Sequence, residues 1–143
     1  WNQVQSNFAL TGIGQTVVVI DTGIAYDQTA LGGGFGAGYQ VVGGWDFAEN
    51  DSNPYDDGPN GFHGTHVAGI VGSSSTTYPG VAPGVDLVSL RVFQDDGTMY
   101  FAWVERALQW VHNNRNAFEN PITTVNISIG SSWNSSTVPS GNA

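Results

Sequence analysis

The chain has 143 residues, with three arginines, no lysine, twelve carboxylates and a net charge of −9, and this length suits one domain with a sizeable core. So acidic a chain argues against nucleic acid, whose phosphates are held by Lys and Arg, and fits a well-solvated surface or divalent-cation sites. With no cysteine, disulfides and thiol catalysis are excluded, and no run of about 18 apolar residues marks a membrane-crossing helix.

Trp1 opens the chain without a charged-then-apolar leader, which reads as a processed or trimmed N-terminus. The first element is "TVVVID" (16–21), an apolar run closed by Asp21, as expected of a strand buried on both faces. "GGGFGAG" (32–38) is a flexible loop and "YQVVGGWDF" (39–47) holds a second strand. "ENDSNPYDDGPNG" (49–61) is acidic and turn-rich. "HGTHVAGIVG" (63–72) is a helix of small and apolar residues, "VDLVSLRVF" (85–93) a third strand, and "DDGT" (95–98) a turn. Residues 100–115 place Phe101, Val104, Leu108 and Val111 at helical spacing, with Trp103, Ala107 and Trp110 beside them. "TTVNISIG" (123–130) is the fourth strand. Strands alternating with helices predict an α/β fold, a doubly wound and mainly parallel sheet with helices on both faces. In such sheets the site lies at the carboxyl ends of the strands, where Asp21 stands.

Residue types alone leave the chemistry open. Asp21 either caps the turn after its strand or orients a histidine. His63 and His66 are a metal pair lacking a third ligand, a structural pair, or a base with its neighbour. In the third reading His63, at the first turn, points toward Asp21, which fixes its tautomer so that it accepts a proton from a hydroxyl. Gly64 and Gly69 are then sites of close backbone approach.

"VVVIDTG" (17–23) and "HGTHVAGIVG" (63–72) resemble the aspartate and histidine motifs of subtilisin-like serine proteases, the subtilase family. "GVAPGVDLVSLRVF" (80–93) and "TTVNISIG" (123–130) resemble the segments that follow in the same order. The resemblance implies a serine endopeptidase of the subtilisin-like fold, with Asp21 as orienting acid, His63 as general base and His66 as a packed neighbour. It requires a nucleophilic serine further on. The family's Gly-Thr-Ser-x-Ala motif does not occur here, and "SGNA" (140–143) follows Ser128 too closely for its Asn142 to be the oxyanion asparagine. The expectation is therefore residues 1–143 as the N-terminal portion of a catalytic domain, inactive alone, with a complementary C-terminal half carrying the serine. A half-domain or pseudoprotease that binds peptide or calcium without hydrolysis is the alternative. A secreted, extracellular parent without membrane or nucleic-acid partners is the implied setting.

The resemblance also implies that a polypeptide substrate lies extended between Gly97–Thr98–Met99 and Ser128–Ile129–Gly130, adding itself as a strand. Phe93 would wall the pockets for the second and fourth residues before the cut, and Phe101, Val104 and Ile129 would line the fourth. Asp46, Glu49, Asp51 and Asn53 crowd one loop, "WDFAENDSNP", which is similar to a calcium loop of thermitase-like members. Hard oxygen donors at such spacing suit structural Ca²⁺. "SSSTTYPG" (73–80) has no Asn or Asp, so the calcium loop that many members carry there is absent or altered.

Overall fold

The computed structural model describes residues 7–59 and 61–130. Four strands form one parallel sheet: β1 (Thr16–Asp21), β2 (Val41–Asp46), β3 (Asp86–Arg91) and β4 (Ile122–Ile127), in the spatial order β2-β3-β1-β4. Two helices, α1 (His63–Gly72) and α2 (Phe101–Asn114), supply the crossovers from β2 to β3 and from β3 to β4. Between β1 and β2 there is a single 3-10 turn, Thr29–Leu31, and a glycine-rich loop.

The central strands show why the sequence folds this way. Val18 and Ile20 of β1 join Val88, Leu90 and Val92 beneath α2, with Ala107 of that helix among them. Val19 faces the other way and packs with Leu87, Val41 and Ala68 beneath α1. Alternate side chains of one strand thus fill two cores, so an unbroken apolar run is what this position demands. Helices on both faces follow, as the sequence predicts.

Two strands end differently from their sequence-based bounds, and one helix buries a different stripe. β3 stops at Arg91, which leaves Phe93 beyond the strand, and β4 stops at Ile127, which leaves Ser128–Gly130 as extended chain past it. In α2 the buried stripe is Trp103, Val104, Ala107, Trp110 and Val111. Phe101 and Leu108 lie off it, 78% and 44% exposed. At roughly 100° of rotation per residue both point about a quarter turn or more from Ala107, so spacing from Phe101 selects the wrong stripe. "SGNA" (140–143) lies outside the described residues.

Candidate active site

Asp21 closes β1 and is 1% exposed, and His63 opens α1. The imidazole Nδ1 lies 2.7 Å from Asp21 Oδ1. A carboxylate is only an acceptor, so Nδ1 carries the proton and donates it. The Thr22 backbone N–H donates to the same oxygen at 2.8 Å. With Nδ1 committed, Nε2 is the nitrogen that carries the lone pair in the neutral ring, on a side chain 55% exposed. Sequence reasoning expects this pairing, and the structure brings the two residues together across 42 positions of chain.

Close approach of the two elements makes the pairing possible. A Cβ built on Gly64 would sit 2.2 Å from Gly23 O and 3.1 Å from Asp21 Cβ, so only glycine lets α1 rest on the end of β1. The Gly64 N–H donates to Thr22 Oγ1 at 2.9 Å and fastens the contact. Gly69 departs from expectation, because a Cβ there would meet nothing within 4 Å. His66 departs too: it is exposed rather than packed and lines a hollow of about 500 Å³ with Ile70 and Tyr78.

Several contributing residues escape the motif reading. Asp56, 5% exposed, accepts the N–H groups of Phe62 and Thr65, both at 3.0 Å, and the Thr65 hydroxyl at 2.5 Å. Thr65 Oγ1 in turn accepts the Ala25 N–H at 2.9 Å. Arg91, 3% exposed, ties the surrounding loops together. Its guanidinium donates to Phe93 O at 3.0 Å, to Tyr55 O at 2.9 Å and to Asp57 at 2.8 Å, and it also pairs with Asp95. One signal for Arg91 was legible: a lone arginine inside an apolar strand must have partners, because a buried charge without them is very costly. Asp56 gives no such signal, standing six residues before Phe62 instead of at the usual cap position.

The segments expected to hold substrate flank this corner. Gly97 adopts φ +84° in the turn after β3, where Gln94 N–H donates to Thr98 O at 2.9 Å. Phe93, Met99, Val104 and Ile129 are half-buried and pack against the α2-side core, while Phe101 stands free of it. Thr98 N–H donates to Asp96 at 2.8 Å, and hydrogen bonding from Thr98 holds the Asp96 carboxyl below the usual carboxylate range.

The acidic loop is tied down by backbone N–H groups that donate to its own carboxylates. Asp46 is fully buried, and its Oδ1 accepts the Ala48 and Glu49 N–H groups at 2.7 and 2.9 Å. Its Oδ2 faces the Arg91 Nε at 3.4 Å. Burial pushes its carboxyl up, opposed by those two N–H groups and by Arg91. Asp51 Oδ1 accepts the Asn53 N–H at 2.8 Å, and Asn53 Oδ1 accepts the Tyr26 hydroxyl at 2.5 Å. Among the described residues, no three His, Cys, Asp or Glu side chains converge as a metal site. Asp46 Oδ2 has no hydrogen-bond partner among the described residues, and the Arg91 guanidinium is the cation nearest to it.

The family model described as the subtilase family matches residues 12–143. Subtilisin E of Bacillus subtilis (strain 168) is 33% identical over 122 residues, covering 84% of this chain and 28% of the relative. Serine protease AprX of the same organism is 35% identical over 132 residues, covering 89% and 28%. Thermitase of Thermoactinomyces vulgaris is 40% identical over 90 residues, covering 61% and 29%. The chain thus spans less than a third of the length of these curated relatives. Among solved structures, a cold adapted subtilisin-like serine proteinase matches with a TM-score of 0.60 at 36% identity, over 73% of this chain and 34% of that one. The Clostridium perfringens CspB protease, at 21% identity and a TM-score of 0.71 over 88% of this chain and 31% of that one, shares the fold. An aspartate ending β1, a histidine opening α1 and a matched family model across most of the sequence lead to one conclusion: the chain belongs to the subtilase family.

Proposed function

We propose that this chain supplies the aspartate and histidine of a serine endopeptidase site, in a longer or two-piece protein whose nucleophilic serine comes from elsewhere. The observation that carries the reading is the 2.7 Å contact between His63 Nδ1 and buried Asp21, which leaves Nε2 as the basic nitrogen. As a serine oxygen attacks a peptide carbonyl, Nε2 takes the hydroxyl proton, and the imidazolium is stabilised by Asp21. Nε2 then returns the proton to the departing amine. The substrate is a polypeptide lying extended between Gly97–Thr98–Met99 and Ser128–Ile129–Gly130, with Phe93, Phe101, Val104 and Ile129 forming apolar walls. The partner is a complementary C-terminal half, and the setting is extracellular. Among the described residues no helix is long and apolar enough to cross a membrane.

Calcium is carried forward as a proposal on the oxygen donors Asp46, Glu49, Asp51 and Asn53 with loop carbonyls, supported by the unpartnered buried Oδ2 of Asp46.

Peptide hydrolysis by the whole protein that carries this chain tests the catalytic reading. His63→Ala should lower kcat by several orders of magnitude, the size of loss that subtilisin shows when its own catalytic histidine is removed. Hydrolysis at an unchanged rate in that variant would remove His63 from the mechanism.

A further inference from the structure

The loop before α1 contains a buried carboxylate that the Asp21–His63 pair does not use. Asp56 lies on a segment strapped across the carboxyl edge of the sheet. Pro54 O accepts the Ile24 N–H and the Ser89 hydroxyl, and Tyr55 O accepts from Arg91. From that strap Asp56 reaches the first turn of α1 through one oxygen, Oδ2, which accepts three donors from Phe62 and Thr65. A negative carboxylate is favoured there, because the first turn presents unpaired N–H groups and the positive end of the helix dipole.

Phe62 is the revealing neighbour. It immediately precedes His63 and has φ +101°, a left-handed conformation that a bulky side chain rarely adopts. Its ring is 75% exposed, so packing does not hold it there. Its N–H donates to Asp56 at 3.0 Å, and its carbonyl accepts the His66 N–H at 2.8 Å. Residues held in such conformations cluster at functional sites, and here the next side chain along is the imidazole.

We propose that Asp56 is the positioning residue for His63. Its carboxylate locks Phe62 and the first turn of α1 in the one conformation that aims Nδ1 at Asp21 and Nε2 outward. Gly64 and Thr22 fix where the helix touches β1, and Asp56 fixes how the helix begins. Removing it allows Phe62 to relax toward negative φ, which rotates the first turn and swings the imidazole off Asp21. The inference rests on the reading of His63 as general base.

The test uses the whole protein that carries this chain, with kcat and KM measured per site titrated by a serine-directed inhibitor. ¹H–¹⁵N spectra of labelled histidine report the Nδ1–H bonded to Asp21. Asp56→Ala should lower kcat roughly 100-fold, as expected for reacting groups misplaced by about 1 Å, with KM nearly unchanged and the Nδ1–H signal lost to exchange. Asp56→Asn, whose carbonyl accepts the same N–H groups, should restore both. Phe62→Gly in the Asp56→Ala background should recover part, because glycine adopts positive φ freely. If Asp56→Ala does not fold, Thr65→Val removes one of the three donors and is read by the same split. A variant with normal kcat per titrated site and an intact Nδ1–H signal, but a lower melting temperature, would make Asp56 an ordinary helix cap and overturn the proposal. Undiminished hydrolysis in His63→Ala would overturn the general-base reading alone, since the Nδ1–H signal reports imidazole orientation without catalysis.

Discussion

Each ring nitrogen of His63 has its own environment, and that asymmetry makes the residue useful. Nδ1 is fixed by a carboxylate buried at the end of β1, while the side chain as a whole stays half-exposed. A base needs both conditions: a fixed tautomer and access to the proton it removes. Tyr55 shows how the surrounding loop is held. Its hydroxyl donates to Asp27 at 2.7 Å, and that bond, helped by burial and by the charge of Asp27, pushes the phenol up to about 12. The folded value lies above the ordinary 10, so this contribution to stability is complete below about pH 10 and disappears as pH rises through about 12. Absorbance titration of the five tyrosines should show a most alkaline phenolate step that is missing from Tyr55→Phe. If the variant keeps that step, the Asp27 bond is not what holds the loop.

At the scale of elements, two glycines of one helix separate contact from propensity. Gly64→Ala places a methyl 2.2 Å from Gly23 O, so α1 must lift from β1 and carry His63 with it. Thermal melts should show a clear destabilisation, and hydrolysis in the whole protein should fall as well. Gly69→Ala meets nothing within 4 Å and should stabilise the helix by about 0.5–1 kcal/mol through reduced unfolded-state entropy. Equal effects at the two positions would contradict the docking geometry. β1 was legible because it is buried on both faces and carries an unbroken apolar run, while β3 is as buried but its apolar run is interrupted by Ser89 and Arg91. The roles of Asp21 and His63 were left open by residue types and became legible through the resemblance of "VVVIDTG" and "HGTHVAGIVG" to subtilase motifs. Less could be read from α2, where an exposed Phe101 and Leu108 mimic a buried stripe. Asp56 acts through a loop that meets α1 only after folding, so no local spacing announces it, and the partners of Arg91, unlike its need for them, are hidden for the same reason.

Across the whole molecule, Arg91 joins the acidic loop, the strap before α1 and the turn before Gly97, through Asp46, Asp57 and Asp95 respectively. Three regions with separate proposed roles therefore share one buried cation. Breaking such a hub by removing the arginine leaves buried Asp46 without its charge partner, a costly change. The calcium proposal belongs to this scale as well. If Asp46, Glu49, Asp51 and Asn53 hold Ca²⁺, the melting temperature should rise once its concentration exceeds Kd, and Asp51→Ala should remove that rise. Melting curves indifferent to calcium and to chelator would end the proposal. β4 pairs with β1 alone among the described strands, and its Ile127 is 44% exposed. Like β2 at the other end of the order, β4 is an edge of the described sheet, with unpaired backbone groups that can accept another strand. Serine-directed fluorophosphonate labelling of the whole protein, with the labelled residue mapped by peptide sequencing, tests the central claim most directly. Stoichiometric labelling at a serine outside residues 1–143, abolished by His63→Ala, is the predicted result. Labelling at a serine within residues 7–130, or labelling indifferent to His63, would contradict it.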